Sequence, residues 1–253
     1  MHKLILLRHG ESEWNKENLF TGWMDVELDD VGRAQAKNAG KLLKESGIEV
    51  DVAFTSFLKR AIHTMWIALD AMDHAWIPEH KSWRLNERDY GALKGLNKSE
   101  TAAEYGEAQV KEWRRSYSVR PPVLDQEDQR NPINDRRYEG VDPELLPDTE
   151  SLEDTYDRVL NYWVDSIVPE VDAGRVVFIV AHGNTLRALV KHLDKLTEDQ
   201  VMELNIPIGE PLIYELDDDM HPIQHYYLNT PEEIARGVQQ QIEMGKAFLQ
   251  EVG

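Results

Sequence analysis

The chain has 253 residues, of which 41% are hydrophobic and 30% are charged, and it contains no cysteine. This length suits one large α/β domain, and the lack of cysteine excludes disulfides and thiolate chemistry in this sequence. The formal net charge of −19 argues against nucleic acid and anionic membrane surfaces as partners. It leaves a small phosphorylated substrate open, because charges beyond a Debye length of about 8 Å are largely screened.

The hydropathy pattern gives no sign of a membrane segment. No apolar run approaches the roughly 20 residues that a spanning helix needs. Met1, His2 and Lys3 lead into an apolar stretch that is too short for the core of a signal peptide. We therefore expect a cytoplasmic protein without membrane contact.

Strand-like and helix-like patterns alternate along most of the chain, beginning with an apolar run at 4–7 that is typical of a strand buried on both faces. The predicted strands cover about 4–7, 50–55, 77–83, 176–181, 212–216 and 223–228. The predicted helices cover about 30–43, 56–69, 100–105, 110–117, 151–167 and 185–193, with Ser56 and Ser151 as N-caps. This alternation predicts βαβ units, and hence an α/β three-layer sandwich with a mostly parallel central sheet flanked by helices.

Two stretches depart from that pattern. Residues 118–148 carry many charges and prolines at positions 121, 122, 132, 143 and 147, which predicts an irregular insertion within a single domain spanning 1–253. Residues 230–253 are polar, weakly amphipathic and contain Gly237 and Gly245. We expect this C-terminal segment to be a mobile tail.

The same dipeptide follows two of the predicted strands. His9-Gly10 comes directly after the first strand and Arg8, and His182-Gly183 follows the strand at 176–181. Ligands of open α/β sheets bind beyond the carboxyl ends of the strands, so we expect the two imidazoles to meet at one sheet edge. A neutral imidazole there can attack a phosphoryl phosphorus, while Arg8, Arg60 and the Asn15 amide neutralise its oxygens.

The segment Arg8–Ser12 resembles the signature of the histidine phosphatase superfamily. Stretches at 14–15, 19–23, 56–64, 82–98, 150–163, 181–184 and 211–228 are similar to the 2,3-bisphosphoglycerate-dependent phosphoglycerate mutases of that superfamily. The resemblance covers nearly all of the chain before about Asn229. It implies a phosphoglycerate mutase-like fold in which the C-terminal segment covers the site.

The resemblance also implies roles for individual residues. His9 carries the phosphoryl group, His182 stabilises the transition state, and Arg8 and Arg60 hold the transferred phosphate. Glu87 is the candidate carrier of the substrate hydroxyl proton. The remaining positions that match substrate-binding residues of the family are Ser12, Asn15, Thr21, Gly22, Arg88, Tyr90, Lys98, Arg114, Arg115, Gly183 and Asn184.

One position departs from the family pattern. Asp89 stands where the family more often has histidine. A second carboxylate close to Glu87 favours the protonated form of that glutamate. We therefore expect Asp89 to raise the proton affinity of Glu87.

Together these features predict an enzyme that interconverts 3-phosphoglycerate and 2-phosphoglycerate in glycolysis and gluconeogenesis. We expect 2,3-bisphosphoglycerate as the priming phosphate donor, no metal, a small phosphorylated carboxylic acid as substrate and a homodimer. The alternatives are a histidine-type phosphatase or a bisphosphoglycerate synthase acting on small phosphoesters. A binding or regulatory protein that has lost the chemistry predicts damage at a catalytic position, and none is found.

Overall fold

The structure is a computed structural model that describes residues 1–230 and 232–236. Six strands form one sheet: β1 (His2–Arg8), β2 (Val52–Thr55), β3 (Glu79–Lys81), β4 (Val177–Ala181), β5 (Leu212–Leu216) and β6 (Pro222–Tyr227). Their order across the sheet is β3-β2-β4-β1-β5-β6. The first four of these neighbours run parallel, and β5 and β6 are antiparallel additions at one edge.

The helices cover both faces of this sheet. They are α1 (Glu13–Lys16), α2 (Asp30–Glu45), α3 (Lys59–Ala71), α4 (Lys98–Tyr105), α5 (Glu107–Arg115), α6 (Leu152–Tyr162), α7 (Val168–Asp172), α8 (Gly183–Leu193) and α9 (Glu198–Glu203). A π-helical turn at Trp163–Ile167 joins α6 to α7. In the described ranges, no helix has the length and apolar character required to cross a membrane.

β1 lies between β4 and β5 near the centre of the sheet, and its side chains alternate between two cores. Leu4 and Leu6 face a cluster that includes Trp163 from the α6–α7 side, whereas Ile5 and Leu7 face a cluster that includes Met65 of α3. The four apolar residues of β1 are at most 1% exposed. This two-sided burial explains the uninterrupted apolar run and confirms the predicted sandwich.

Several predicted boundaries need correction. Ser56 does not cap a helix, because α3 begins at Lys59 with Leu58 as the N-cap residue. The strand predicted at 77–83 contracts to Glu79–Lys81 and is followed by a 3₁₀ turn at Trp83–Leu85. The capping box at Ser151 is present as predicted, with the Asp154 backbone N–H donating to the serine hydroxyl.

The irregular segment at 118–148 contains three 3₁₀ turns and otherwise no helix or strand. It is nevertheless packed onto the domain, since Tyr138 is 2% exposed and lies in a cluster with Trp23 and Trp83. Residues 231 and 237–253 lie outside the described part of the chain. The expected mobile tail falls largely on those residues, and it stays a prediction.

Candidate active site

A cavity of about 180 Å³ opens at the carboxyl ends of β1 and β4. Most of the residues singled out from the sequence surround it. The lining residues are Arg8, His9, Asn15, Leu19, Thr21, Gly22, Arg60, Glu87, Tyr90, Lys98, Arg114, Arg115, Gly183, Asn184, Arg187, Leu204, Asn205 and Ile206. The parallel pairing of β1 with β4 therefore brings the two His-Gly motifs to one edge, as their strand contexts predicted.

The two histidine rings lie against each other. Their centroids are 5.0 Å apart, and the planes make an angle of 61°. His9 Nδ1 is 2.7 Å from the Gly10 carbonyl oxygen and donates to it, so Nε2 carries the lone pair, which accepts a long hydrogen bond from Arg60 Nε at 3.3 Å. Burial, together with the charges of Arg60 and Arg8, holds the pKa of His9 well below its usual value. His9 is therefore a neutral imidazole at pH 7, the form that a nucleophile requires.

The loop that carries His9 rests directly on the first turn of α2. A side-chain carbon at Gly10 would lie 2.2 Å from the Gly32 carbonyl oxygen, and one at Gly32 would lie 2.0 Å from the Glu11 oxygen. Any side chain at either position would force these backbones apart. The two glycines thus permit the close backbone contact between the loop of His9 and the first turn of α2.

Two arginines flank the histidines, of which Arg60 is buried and Arg8 is half-buried. Arg60 is 1% exposed and donates to the carbonyl oxygens of Gly22 and Met24, each at 2.8 Å, while its Nε lies 3.3 Å from His9 Nε2. Arg8 is anchored through a 2.8 Å bond to the Ile206 carbonyl. Burial lowers the pKa of Arg60 to about 10, so it stays charged at neutral pH. The pair supplies fixed positive charge next to the His9 lone pair.

Glu87 reaches the same cavity from the segment between the Trp83–Leu85 turn and α4. Its Oε1 accepts hydrogen bonds from the backbone N–H of Arg88 at 2.8 Å and of Asn184 at 3.1 Å. Its backbone carbonyl accepts from Trp23 Nε1 at 2.5 Å and from Arg158 Nη2 at 3.3 Å. The carboxylate is therefore held by its own segment and by the first turn of α8.

The buried ion pair between Glu150 and Arg158 contacts the backbone of this segment. Arg158 Nε and Nη2 donate to the two carboxylate oxygens of Glu150 at 2.7 and 2.8 Å. Arg158 Nη1 also donates to the carbonyls of Arg84 at 2.8 Å and Asn86 at 3.2 Å. Both members of the pair are less than a tenth exposed. The bidentate geometry fixes the backbone that carries Glu87.

Asp89 forms a buried ion pair with Lys94. Its carboxylate accepts from Lys94 Nζ at 2.7 Å and from the Gly91 backbone N–H at 2.7 Å, and both side chains of the pair are fully buried. Burial raises the pKa of Asp89 to about 6, although the Lys94 charge opposes this shift. Asp89 thus forms an ion pair with Lys94, whose ammonium also donates to the Arg130 carbonyl of the irregular segment, and its expected effect on Glu87 stays a prediction.

Three cations form an outer group at the cavity mouth. Lys98 starts α4, and Arg114 and Arg115 end α5, where positive charge is favourable for the helix. The Lys98 ammonium lies 5.8 Å from the centroid of the Phe20 ring. Burial and the neighbouring charges of Arg114 and Arg8 lower the pKa of Lys98 to about 7. The charge of the outer group therefore depends on pH near neutrality.

This shift predicts a pH-dependent affinity for anions. Lys98 loses its proton as the pH rises through about 7, so the dissociation constant of 3-phosphoglycerate should increase above that pH. In Lys98→Arg, the guanidinium stays charged and the increase should disappear. The measurement is a calorimetric titration of both proteins across this pH range. Ionisation of the ligand affects both proteins equally, so a difference between their profiles reports on Lys98. Parallel pH profiles in the two proteins would contradict the prediction.

Three of the predicted residues lie behind the cavity wall rather than on it. His182 is fully buried beside His9, and Ser12 is fully buried as the N-cap of α1, where its hydroxyl donates to Asn15 Oδ1 at 2.8 Å. Arg88 is also fully buried; it donates to the Trp113 carbonyl and lies over the Tyr90 ring. In this structure Ser12 and Arg88 support cavity residues, and their role as substrate contacts stays a prediction.

Arg187 lines the cavity but was missed from the sequence. Its Nη1 donates to Asn184 Oδ1 at 2.8 Å, and its Nη2 donates to the Val201 carbonyl at 2.6 Å. This holds the Asn184 amide with Nδ2 toward the Tyr90 hydroxyl, 3.3 Å away. A cation between the apolar residues Leu186 and Ala188 of the predicted helix was the available signal, because charged residues are rarely buried without a partner.

Residues 4–228 match the sequence profile of the histidine phosphatase superfamily, branch 1. The matched range contains both His-Gly motifs and every cavity residue described above. The chain belongs to this superfamily. The superfamily resemblance read from Arg8–Ser12 is thereby confirmed.

Several solved structures share the fold of this superfamily member. A mycobacterial glucosyl-3-phosphoglycerate phosphatase is 23% identical, with a TM-score of 0.66 over 90% of this chain and 97% of that one. The α-ribazole phosphatase of Shigella flexneri is 21% identical, with a TM-score of 0.67 over 90% and 96%. YhfR of Bacillus stearothermophilus is 24% identical, with a TM-score of 0.64 over 85% and 91%. At these identities the likeness establishes the α/β fold.

Proposed function

We propose that this protein transfers phosphoryl groups through His9 and acts as a 2,3-bisphosphoglycerate-dependent phosphoglycerate mutase. The observation that carries the proposal is the arrangement of charge in one cavity. Arg8 and Arg60 lie beside the two histidines, and a separate group of three cations lies at the mouth. Such a site suits a small substrate with a phosphate at one end and a carboxylate or second phosphate at the other.

The inner half of the cavity supports covalent transfer. A bond forms between His9 Nε2 and phosphorus as the phosphorus–oxygen bond of the ester breaks. The Arg60 Nε–H, which donates to the His9 lone pair at 3.3 Å, is released to the phosphate as the new bond forms, and the guanidinium groups of Arg8 and Arg60 balance the charge on the equatorial oxygens. The neutral state of His9 at pH 7 provides the lone pair for the attack.

Glu87 gives and takes the proton of the substrate hydroxyl group. When the ester bond breaks, the leaving alkoxide takes a proton from the Glu87 carboxyl group. In the reverse direction, the Glu87 carboxylate takes the proton of the attacking hydroxyl, so that charge and protons balance over the cycle. Its bonds to the backbone N–H groups of Arg88 and Asn184 hold one carboxylate oxygen in place for both steps.

The cavity residues also fit 2,3-bisphosphoglycerate as the priming donor. When bound, it supplies the phosphoryl group that charges His9. Arg8 and Arg60 would hold the transferred phosphate, and Lys98, Arg114 and Arg115 would hold the remaining anionic groups. The outer cations thereby orient the substrate so that the free hydroxyl group of either phosphoglycerate isomer faces the phosphohistidine.

The experiment that tests the proposal measures conversion of 3-phosphoglycerate with and without added 2,3-bisphosphoglycerate, with release of inorganic phosphate followed in parallel. The proposal expects 2-phosphoglycerate formation that depends on priming and greatly exceeds phosphate release. Phosphate release without formation of 2-phosphoglycerate would assign a phosphatase instead.

A phosphatase is the second candidate, and the comparisons favour it. The mycobacterial and Shigella proteins that share the fold are named as phosphatases, one of them for a phosphoglycerate ester. The same histidine chemistry serves both reactions, since only the acceptor of the phosphoryl group differs. Hydrolysis by this protein would use water in place of the substrate hydroxyl at Glu87. A bisphosphoglycerate synthase would differ only in the preferred fate of the same intermediate.

A substitution at the cavity mouth tests the assignment of the outer cations. In Arg115→Ala we expect KM for 3-phosphoglycerate to rise roughly 10- to 100-fold, as for a lost hydrogen bond to a charged group. KM for p-nitrophenyl phosphate, which lacks a carboxylate, should change little. The free energy of unfolding should change by at most about 1 kcal/mol, because Arg115 is exposed.

Lys111→Ala provides the matched control, since it removes another exposed cation of α5 that does not line the cavity. It should leave both KM values at the wild-type level. Equal increases for the two substrates in Arg115→Ala would contradict carboxylate binding by this arginine.

A further inference from the structure

Ser56 lies directly after β2 and is fully buried, yet the chemistry described above gives it no role. Its Oγ is 2.7 Å from His182 Nε2. The same oxygen accepts a hydrogen bond from the Leu58 backbone N–H at 3.1 Å. The hydroxyl therefore links the end of β2 to the histidine at the end of β4.

The direction of the bond to His182 follows from the capacity of a hydroxyl group. A serine hydroxyl has one hydrogen to donate and two lone pairs to accept with. The Leu58 N–H already occupies one lone pair, and His182 Nε2 is the acceptor within reach of the hydrogen among the described residues. If His182 donated instead, the buried hydroxyl hydrogen would have no acceptor there, which is costly. Ser56 therefore donates to Nε2.

This bond determines the position of the imidazole proton. Burial and the Arg60 charge hold the pKa of His182 well below its usual value, so the ring carries one proton at pH 7. With Nε2 accepting from Ser56, that proton is on Nδ1. Nδ1 is buried and finds no hydrogen-bond partner among residues 1–230 and 232–236.

A buried N–H without an acceptor calls for an explanation, and such groups are found at catalytic positions. The ring of His182 is 5.0 Å from that of His9, centroid to centroid. Phosphoryl oxygens are strong acceptors, and a phosphoryl group on His9 Nε2 would bring them next to this ring. A donor that is in place before the reaction stabilises the developing charge without rearrangement.

We propose that Ser56 is a positioning residue that holds His182 in the Nδ1–H tautomer, so that His182 donates a hydrogen bond to the phosphoryl group transferred at His9. This inference rests on the proposed phosphoryl transfer but not on the identity of the phosphoester. The wrong tautomer would present a lone pair to the phosphoryl oxygens in place of a hydrogen. Loss of Ser56 thus removes a donor and adds a repulsive contact.

The tautomer can be read directly in the free protein. Two-bond ¹H–¹⁵N spectra distinguish a protonated from an unprotonated ring nitrogen, and His182→Gln assigns the signals. The wild type should show His182 with a protonated Nδ1 and an unprotonated Nε2. Titration with inorganic phosphate should shift the Nδ1–H resonance. In Ser56→Ala the proton should move toward Nε2, and Ser56→Thr, which keeps the hydroxyl, should restore the wild-type pattern.

The kinetic readout uses p-nitrophenyl phosphate or 3-phosphoglycerate, whichever the wild type turns over. We expect kcat of Ser56→Ala to fall on the order of 10- to 100-fold, less than for loss of the whole donor because the His182 ring remains, with little change in KM. Thr55→Val is the matched control. It removes the neighbouring buried hydroxyl, which donates to the Val180 carbonyl at 2.7 Å and does not contact His182.

Two results would overturn the inference. One is a wild-type His182 with its proton on Nε2, which needs no variant and no substrate to be observed. The other is a Ser56→Ala protein that keeps the Nδ1–H tautomer, whatever its turnover. Because the spectra are recorded without a phosphoester, these outcomes are independent of whether the protein is a mutase or a phosphatase.

Discussion

His9→Ala is expected to abolish turnover, with kcat reduced by roughly 10⁴-fold or more, as for loss of a covalent nucleophile. Incubation of the wild type with ³²P-labelled 2,3-bisphosphoglycerate should leave an acid-labile phosphate on His9, and the variant should carry none. The physical reason is that His9 Nε2 carries the lone pair that faces the cavity, where it accepts a long hydrogen bond from Arg60 Nε at 3.3 Å. Acid quenching followed by peptide mapping locates the label.

His182→Ala separates the two histidines. Its turnover should fall by roughly 10²- to 10³-fold through loss of a charge-stabilising donor, while His9 remains the labelled residue. Because His182 is fully buried, folding of the variant is checked by its thermal transition. A label on His182 in the wild type would reverse the assigned roles.

Arg158→Met is expected to cause the largest loss of stability. It leaves the Glu150 carboxylate buried and unpaired, which costs about 3–5 kcal/mol, and it removes the bonds to the carbonyls of Arg84 and Asn86. The melting temperature should fall by about 10 °C. Residual folded protein should also show lower kcat, since the backbone of Glu87 loses an anchor at 3.3 Å.

Arg120→Met is the control for that variant. Arg120 pairs with Asp154 at 2.6 Å, but its side chain is 60% exposed, so removing it should change the free energy of unfolding by at most about 1 kcal/mol. Similar melting temperatures for the two variants, measured by calorimetry, would show that the Glu150–Arg158 pair does not support the site as described.

The sheet and the central histidines could be predicted because their signals are local. The apolar runs at 4–7 and 176–181 are long enough to indicate buried strands, and the dipeptides that follow them mark the sheet edge. The roles of Glu87, Lys98 and Arg115 had no such signal. A single charged residue is usually a solvated surface group, and only the family resemblance distinguished these three.

The supports of the site depend on contacts between distant residues, which a single sequence does not encode visibly. Ser56 was predicted as a helix cap, whereas its hydroxyl bonds to His182, 126 positions away. The buried ion pair between Asp89 and Lys94 was also missed, although the two residues are only five positions apart. Serine has strong local alternatives in caps and turns, so propensity alone favoured the wrong partner for Ser56.

The most direct test of the account follows the fate of one labelled phosphoryl group. Enzyme carrying ³²P on His9 is isolated, mixed with 3-phosphoglycerate or with buffer alone, and quenched at intervals. A mutase with the charge arrangement seen in this cavity should pass the label to phosphoglycerate products much faster than it releases inorganic phosphate in buffer. Release of the label as inorganic phosphate at the same rate with and without 3-phosphoglycerate would contradict the account.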